Sequence, residues 1–460
     1  MVATLSGLLF AASFEPIGWW FCAPLAYALF LKFSLKKVNL YRQAFLFGFV
    51  GSAITLWWAG KYVGVLPLFF LALLHGLFLL PLGVLGRYTR NVLWFIPAIL
   101  LLEEIRSHFP FGGFSWMRIA FSQADAPFAS VISIGGALLL SAWVLAISAL
   151  LVPYRHVNLL LIAAALLLPL MINNSYGDDQ EISFVGVQGN TPAVGLAFND
   201  RAEAVFNLHL ERTRATNLDG ADLIIWPENA IDVDPFLNSR VSSEIESLTG
   251  TLQTPLIAGA ITRKNGSLEN VSLMYSKSGE VISLYSKQYL TPFGEFIPLR
   301  PLARIVSPYV DGVSDFSPGV QVDNHVVNGM RISPVICYEL LSDSLVRDAS
   351  SSSQALIAQT NSATFAGTAE SAQQLNITRL RALENAREIA SVSTIGISAH
   401  IDINGQVISQ TQEDVSATLR GDLRSNSSTT FANKLGGLAP VLVLFISLIL
   451  PVTRRIMSSR

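Results

Sequence analysis

Cysteine and charge are both scarce in these 460 residues. Only Cys22 and Cys337 occur, one inside an apolar run and the other in the polar half of the chain, so no intramolecular disulfide is expected. Charged residues make up 14% against 51% hydrophobic, with a mean hydropathy of +0.46, which is too apolar for an ordinary soluble protein of this length. A net charge of -2 leaves no basic face for nucleic acid. There is no Walker-type phosphate loop and no clustered His/Cys ligand set. Internal repeats and sizeable low-complexity tracts are absent too.

The few acidic residues are segregated. Before residue 174 only Glu15, Glu103, Glu104 and Asp125 are acidic, whereas nearly all the rest fall between Asp178 and Asp422. The chain therefore divides into a lipid-facing and a water-facing part. Apolar segments of bilayer-spanning length, or close to it, are read at 2–14, 17–34, 43–60, 63–86, 91–107, 128–152, 157–173 and 436–452. Lys32, Lys36, Lys37 and Arg42 share one loop, Arg87 and Arg90 the loop two spans on, Arg155 the next of that kind, and Arg454, Arg455 and Arg460 the end. All fall on one face, which the positive-inside rule makes cytoplasmic. The expected division is 1–173, an N-terminal transmembrane domain of about seven spans; 174–435, an extracytoplasmic catalytic domain; and 436–460, a last span with a basic cytoplasmic tail. Met1 to Phe14 lacks a basic n-region and an A-x-A site, so an uncleaved anchor is expected. Glu103 and Glu104 lie in or beside a span, with Arg106 as an available ion-pair partner; a structural pair and a substrate role both stay open. Trp19, Trp20, Trp57 and Trp58 are read as interfacial belts.

The middle segment alternates strand and helix patterns. Strands are predicted from 182, 222, 255, 272, 280, 325 (HVVNGMRISPVI, as one run), 355, 391 and 406, and helices over about 197–217, 236–250, 340–350 and 369–389. SKSGEV and DINGQV supply hairpin turns. His400 reads as a strand residue. The order implies stacked sheets flanked by helices.

Three positions in this segment carry chemistry. RISPVICYELL (331–341) puts Cys337 between a β-type and a helix-type run, where helix N-terminal N–H groups would favour thiolate and hold an oxyanion. LIIWPENAI ends an apolar strand with Trp226 and Glu228, and LYSKQYLTPFGEFIP puts Lys287 and Glu295 after another. Taken singly, the cysteine reads as a small buried hydrophobe, the glutamate as a loop acid and the lysine as a surface residue. Together they form a base, a cation and a nucleophile.

WPE, SKQYLTPFGEF and ICYE in that order resemble the Glu-Lys-Cys triad of the nitrilase superfamily. With VQGN at 187–190, RLRALENAR, the loop FPFGGFSW and the flanking spans, the chain resembles its membrane-bound branch, the apolipoprotein N-acyltransferases, over nearly its whole length. The resemblance implies a multi-span α-helical membrane domain plus an α/β nitrilase-like domain, a four-layer α-β-β-α sandwich. It implies transfer of an acyl chain from a membrane phospholipid to the α-amino group of the S-diacylglyceryl-cysteine that begins an apolipoprotein, in a bacterial cell (inner) membrane, with no metal or nucleotide cofactor. Glu228 would be the general base, Cys337 the nucleophile, and Lys287 the oxyanion partner, helped by the Tyr338 N–H. Glu295 would position the lysine and base, and Tyr338, Glu339 and Trp226 would support them. PLARIVSPYVDGVSDFSPG (301–319) is read as a lid or lipid-gripping arm. The sequence departs from the family pattern at Asn361 to Ala366, where Ser362, Thr364 and Ala366 replace Asp, Trp and Gly, and at Gln374, which replaces His. These departures bear on the pocket lining and not on the triad. Two alternatives stand beside this reading: a membrane-tethered carbon-nitrogen hydrolase with the same triad, and a scaffold or transporter with a degenerate module, which would have lost a triad residue.

Overall fold

A computed structural model describes residues 1–35, 39–152, 156–195, 201–306 and 308–458. Lys36, Lys37, Arg155 and Arg460, on which part of the orientation argument rests, lie outside the described residues, as do the side chains of Arg454 and Arg455. The chain separates into two compact units, Met1–Asn173 with Thr430–Arg460, and Asn174–Thr429.

The first unit is helical: α1 (Val2–Ala12), α2 (Cys22–Leu29), α3 (Leu40–Thr55), α4 (Val65–Phe78), α5 (Pro81–Tyr88), α6 (Val92–His108), α7 (Ile132–Leu151) and α8 (His156–Leu167). Among the described residues two stretches, Val65–Tyr88 and Ala129–Leu151, are long and apolar enough to cross a membrane; Val2–Ala12, Cys22–Ser34, His156–Met171 and Leu438–Thr453 are apolar but shorter. The longer runs read from sequence are shortened by local breaks. Leu56 leaves helical geometry at the end of α3, and a 3-10 turn, Leu168–Met171, with Pro169 in its first turn follows α8. Glu103 and Glu104, for which a structural pair and a substrate role are both open from sequence, make structural contacts in which Arg118 is the cation. Glu103 accepts from Ile119 N (2.9 Å) and Ser141 Oγ (2.6 Å), Arg118 bonds Glu104 (2.8 Å) and approaches Glu103 (3.9 Å), and Arg106 donates to the Met117 carbonyl.

Among the described residues the second unit contains two six-stranded sheets. In chain order its elements are β1 (Glu181–Gln188), α9 (Ala204–Arg214), β2 (Leu223–Ile231), α10 (Ser239–Leu252), β3 (Leu256–Lys264), β4 (Ser267–Tyr275), β5 (Val281–Ser286), α11 (Arg300–Val306), β6 (His325–Val327), β7 (Met330–Ile336), α12 (Asp343–Ser352), β8 (Ala355–Thr360), α13 (Glu370–Asn385), β9 (Ile389–Ser393), β10 (Ala399–Ile401), β11 (Val407–Gln410) and β12 (Ala417–Arg424). The orders are β12-β1-β2-β3-β4-β5 and β11-β10-β9-β8-β7-β6, with β1-β2-β3 parallel in one and β7-β8-β9 parallel in the other. Period-two alternation gives the inner strands two apolar faces. On β1, Ile182 and Phe184 pack with Ile332 and Ile357 of the second sheet, while Val185 and Val187 pack with Phe206 and Leu210 of α9. With α12 and α13 against the second sheet, the layers run α-β-β-α. Helices α14 (Phe431–Leu435) and α15 (Leu438–Ser458) return the chain to the helical unit.

Three sequence expectations change. The run from 325 splits into β6 and β7 at Asn328-Gly329, both at positive φ. The run from 391 splits into β9 and β10. Strand β12, ATLRGDLR, was not expected: its charged residues mask an edge strand that pairs antiparallel with β1 along all eight residues.

Candidate active site

The parallel strands β2 and β7 deliver their key residues at their carboxyl ends, where open parallel sheets hold their ligands. On β2 the ladder to β3 pairs Trp226 with Ala258 and Ile231 with Ala260, so the residues between them bulge. Pro227, which has no N–H to offer a ladder, fits such a bulge. Asn229 has φ +55, and Gly259 on β3 leaves the necessary room, since a Cβ there would lie 2.4 Å from the Pro227 carbonyl oxygen and 2.7 Å from Glu228 Cα. The bulge turns the Glu228 side chain to Lys287 and Asn270.

Lys287 directly follows β5 and is 1% exposed. Its Nζ lies 3.1 Å from Glu228 Oε1, 2.8 Å from Glu295 Oε2 and 3.5 Å from Thr291 Oγ1. Asn270 Nδ2 bridges the two acids, donating to Glu228 Oε1 (2.8 Å) and Glu295 Oε1 (2.7 Å), and the Thr291 N–H donates to Glu295 Oε2 (2.8 Å). These contacts push the two carboxylates apart in acidity. Burial drives Glu228 above the ordinary value, Lys287 pulls it part of the way back, and the Glu295 charge adds to the rise. Burial acts on Glu295 in the same sense, but Lys287, Asn270 and the Thr291 N–H outweigh it and hold it below the usual range. Burial opposes the charge on Lys287, yet Glu228 and Glu295 together keep it cationic, with its pKa raised.

Cys337 follows β7 with φ +50, a left-handed conformation that costs a non-glycine residue about 1–2 kcal/mol and makes a sharp elbow. A five-residue 3-10 turn, Cys337–Leu341, separates it from α12, so the expected helix N-terminus does not begin at the sulfur. The thiol is pushed well above its ordinary value, first by burial and then by the Glu228 charge, with Lys287 opposing and Glu370 adding to the rise. The resting group is thus a thiol and not the expected helix-favoured thiolate, because burial, joined by the Glu228 charge, outweighs Lys287. Gln374 Nε2, on α13, lies 3.7 Å from Sγ.

Glu339 fastens this elbow to the Lys287 segment. Its Oε1 accepts from Tyr285 OH (2.7 Å), Gln288 N (2.7 Å) and Tyr289 N (3.2 Å), and its Oε2 from Ile336 N (2.7 Å). Burial lifts its carboxyl to about 7 despite these donors. Tyr338 stacks on Tyr289 with centroids 5.3 Å apart. Trp226 lies under β2, its Nε1 on Thr213 Oγ1 (2.9 Å), packed against Phe206 and apart from the charged cluster. Asn270, Thr291, Tyr285 and Gln288 were missed from sequence. The one visible signal was Asn270, a polar residue inside the apolar pattern of β4.

The predicted arm forms α11 and a 3-10 turn, Pro308–Gly312. Leu302, Ile305 and Tyr309 are all more than half exposed along it.

Residues 6–150 match the family model for the apolipoprotein N-acyltransferase N-terminal domain, and residues 187–433 that for carbon-nitrogen hydrolases. The apolipoprotein N-acyltransferase of Mycolicibacterium smegmatis is 31% identical over 94% of this chain and 80% of its own length. That of Pasteurella multocida is 26% identical over 93% of this chain and 90% of its own.

Proposed function

This chain belongs to the apolipoprotein N-acyltransferase family and N-acylates lipoproteins, and we propose that it moves the acyl chain from a membrane phospholipid through a thioester on Cys337 to the α-amino group of an S-diacylglyceryl-cysteine. The observation that carries this route is the split between the two acids on one lysine. Glu228 is made more basic and Glu295 is held ionised, the pattern expected where one carboxylate moves protons and the other fixes charge.

Glu228 takes the Cys337 proton as sulfur attacks the ester carbonyl. Lys287 neutralises the tetrahedral oxyanion, a contribution of about 3–4 kcal/mol in preorganised sites. As the intermediate collapses, Glu228 returns the proton to the departing lysophospholipid oxygen. The lipoprotein amine then attacks the thioester, and Glu228 carries a proton from nitrogen to sulfur. Glu295 and Asn270 keep Lys287 and Glu228 in place, and Glu339 keeps the elbow against the Lys287 segment. The exposed apolar side chains of the arm, Leu302 and Ile305, suit acyl chains.

We further infer a multi-pass protein of the bacterial cell membrane, with residues 1–173 as its transmembrane domain, 436–460 as a last span with a basic cytoplasmic tail, and 174–435 extracytoplasmic. Support comes from the basic residues Lys32, Arg42, Arg87 and Arg90, and from outward-facing apolar side chains on α4, α8 and α15. The test against a hydrolase is product analysis with labelled phospholipid, with and without a diacylglyceryl-cysteinyl peptide. N-acyl peptide is expected. Steady fatty-acid release with no N-acyl peptide would overturn the transferase route.

A further inference from the structure

The loop after β8 and the start of α13 hold buried polar groups with no part in the steps above. Glu370, the first residue of α13, is 4% exposed. It accepts a hydrogen bond from the Ser362 side chain, while its Oε2 has no hydrogen-bond partner. Two more buried atoms of this segment, Asn361 Nδ2 and Ser371 Oγ, are also without one. Opposite them, a Cβ on Gly396 would lie 2.6 Å from Ser371 Oγ, 2.7 Å from Ser393 Oγ and 2.8 Å from Ser362 Oγ, so three hydroxyls converge on a spot kept free of side chain. The cluster adjoins the nucleophile. The Glu370 charge acts on the Cys337 thiol, the Asn361 backbone bonds to that thiol, and Gln374, one turn along α13, reaches Sγ. A buried carboxylate oxygen without a donor is costly and calls for a cation or donor that arrives from elsewhere.

Proton balance identifies the cation. An α-amino group has a pKa of about 7.7–8.0, so much of the acceptor arrives at neutral pH as ammonium. In becoming an amide its nitrogen loses two protons. One returns the Cys337 thiolate to thiol by way of Glu228. The other has no destination in the triad, since Lys287 is already protonated and Glu295 is held ionised.

We propose that Glu370 is a further catalytic residue of the transfer half-reaction, its free oxygen receiving the acceptor's α-ammonium and taking the surplus proton before the neutral amine attacks the Cys337 thioester. The proposal rests on the acyl-transfer route above. Ammonium and carboxylate become amine and carboxylic acid; the C–N bond then forms, the C–S bond breaks, Glu228 moves the second proton from nitrogen to sulfur, and Glu370 gives its proton to water as product leaves. The charged or titrating groups that act on Glu370 are Glu413 and Glu228, and it acts in turn on Cys337. Burial first, and those two carboxylates, lift its carboxyl to about 8, so at neutral pH it is the ionised fraction that receives the ammonium, and because the two groups are level in acidity the proton passes with little free-energy gap.

The test separates the two half-reactions. Full-length protein in detergent is acylated with phospholipid, then chased with diacylglyceryl-cysteinyl peptide or with hydroxylamine, an amine already neutral at pH 7. Glu370→Gln, which keeps the acceptor for Ser362 and removes a charge that opposes the Cys337 thiolate, is expected to acylate no more slowly than the unaltered chain but to discharge to the peptide about a hundredfold more slowly at neutral pH. Most of that deficit should vanish at about pH 9, where the peptide amine arrives neutral, and discharge to hydroxylamine should be unaltered. Glu370→Asp, which keeps the charge, should recover about tenfold of the lost rate. Unaltered discharge of Glu370→Gln to peptide, an equal loss with hydroxylamine, or no recovery in Glu370→Asp overturns the proposal. Failure of the unaltered chain to acylate would overturn the acyl-transfer route and this proposal with it.

Discussion

Helix α4 of the helical unit and helix α10 of the α/β unit turn opposite faces inward. On α4 the buried residues are Ala72, His75 and Gly76, while Val65, Leu66, Phe69, Phe70 and Leu77 are exposed. On α10, Val241, Ile245 and Leu248 are buried at helical spacing and Ser242 and Glu246 face out. The pattern of α4 recurs on α8, where only Asn158 is buried and Leu159, Leu160 and Leu161 are exposed. One rule covers both: apolar surface leaves water. In the α/β unit it goes to a core between sheets, and in the helical unit it is turned outward, as a lipid solvent allows. Buried charge follows the same division. The helical unit satisfies Glu103 with a backbone N–H, a serine and Arg118, whereas the α/β unit, besides structural pairs such as Arg381 with Glu384 and Asp343, holds a lysine between two acids of unequal basicity.

The largest expected effect lies in the α/β unit. Cys337→Ser should lower turnover at least about a thousandfold with circular dichroism unchanged, because a hydroxyl offers almost no anion to attack an ester. Near-normal activity in the purified variant would remove the nucleophile. Next is Lys287→Met, which leaves Glu228 and Glu295 buried together without a cation. Acylation should fall by about 10²–10³, and thermal denaturation should report a loss of about 3–5 kcal/mol. Arg118→Met is its counterpart in the helical unit, expected to lower the yield of folded protein while the folded fraction acylates Cys337 normally. Slow acylation in that fraction would break the comparison.

A matched pair tests the two solvents directly. Leu160→Asp on α8 should cost about 2.5–3.5 kcal/mol of insertion if it faces lipid at mid-depth, read as lost membrane-integrated protein. Ile408→Lys, at a residue equally apolar and 56% exposed on edge strand β11, should stay within about 0.5 kcal/mol. Equal costs would mean that both units face water. The smallest effect is one of pH. Glu228 must be ionised to accept the thiol proton, and its pKa is raised above the ordinary 4.5, so single-turnover acylation should fall as pH drops along a limb above that value. A limb at or below 4.5 would contradict the assignment of the base.

Legibility from sequence also differed between the units. The α/β layers could be read because alternation survives on strands such as β1, whose two faces meet two apolar layers. Strand β12 could not, because an edge strand with one half-exposed face keeps charges at Arg420, Asp422 and Arg424. The order Glu228, Lys287, Cys337 was visible as three strand-end residues. Their support was not: Asn270, Tyr285 and the Glu339 bonds depend on contacts across 25 to 54 residues, which no local pattern records. Nor did the sequence foreshadow a thiol raised by neighbouring carboxylates, since that follows from burial. In the helical unit composition marked the apolar segments well and their ends poorly, and Arg118, outside every predicted span, emerged as the partner of Glu104.

The most direct test is the mass of the intact protein after incubation with phospholipid alone and then with a diacylglyceryl-cysteinyl peptide. An acyl-thioester route predicts a gain of one acyl chain, mapped to Cys337 and absent in Cys337→Ala, that disappears as N-acyl peptide forms. N-acyl peptide formed by a protein whose mass never changes, or an acyl increment on another residue, would contradict it.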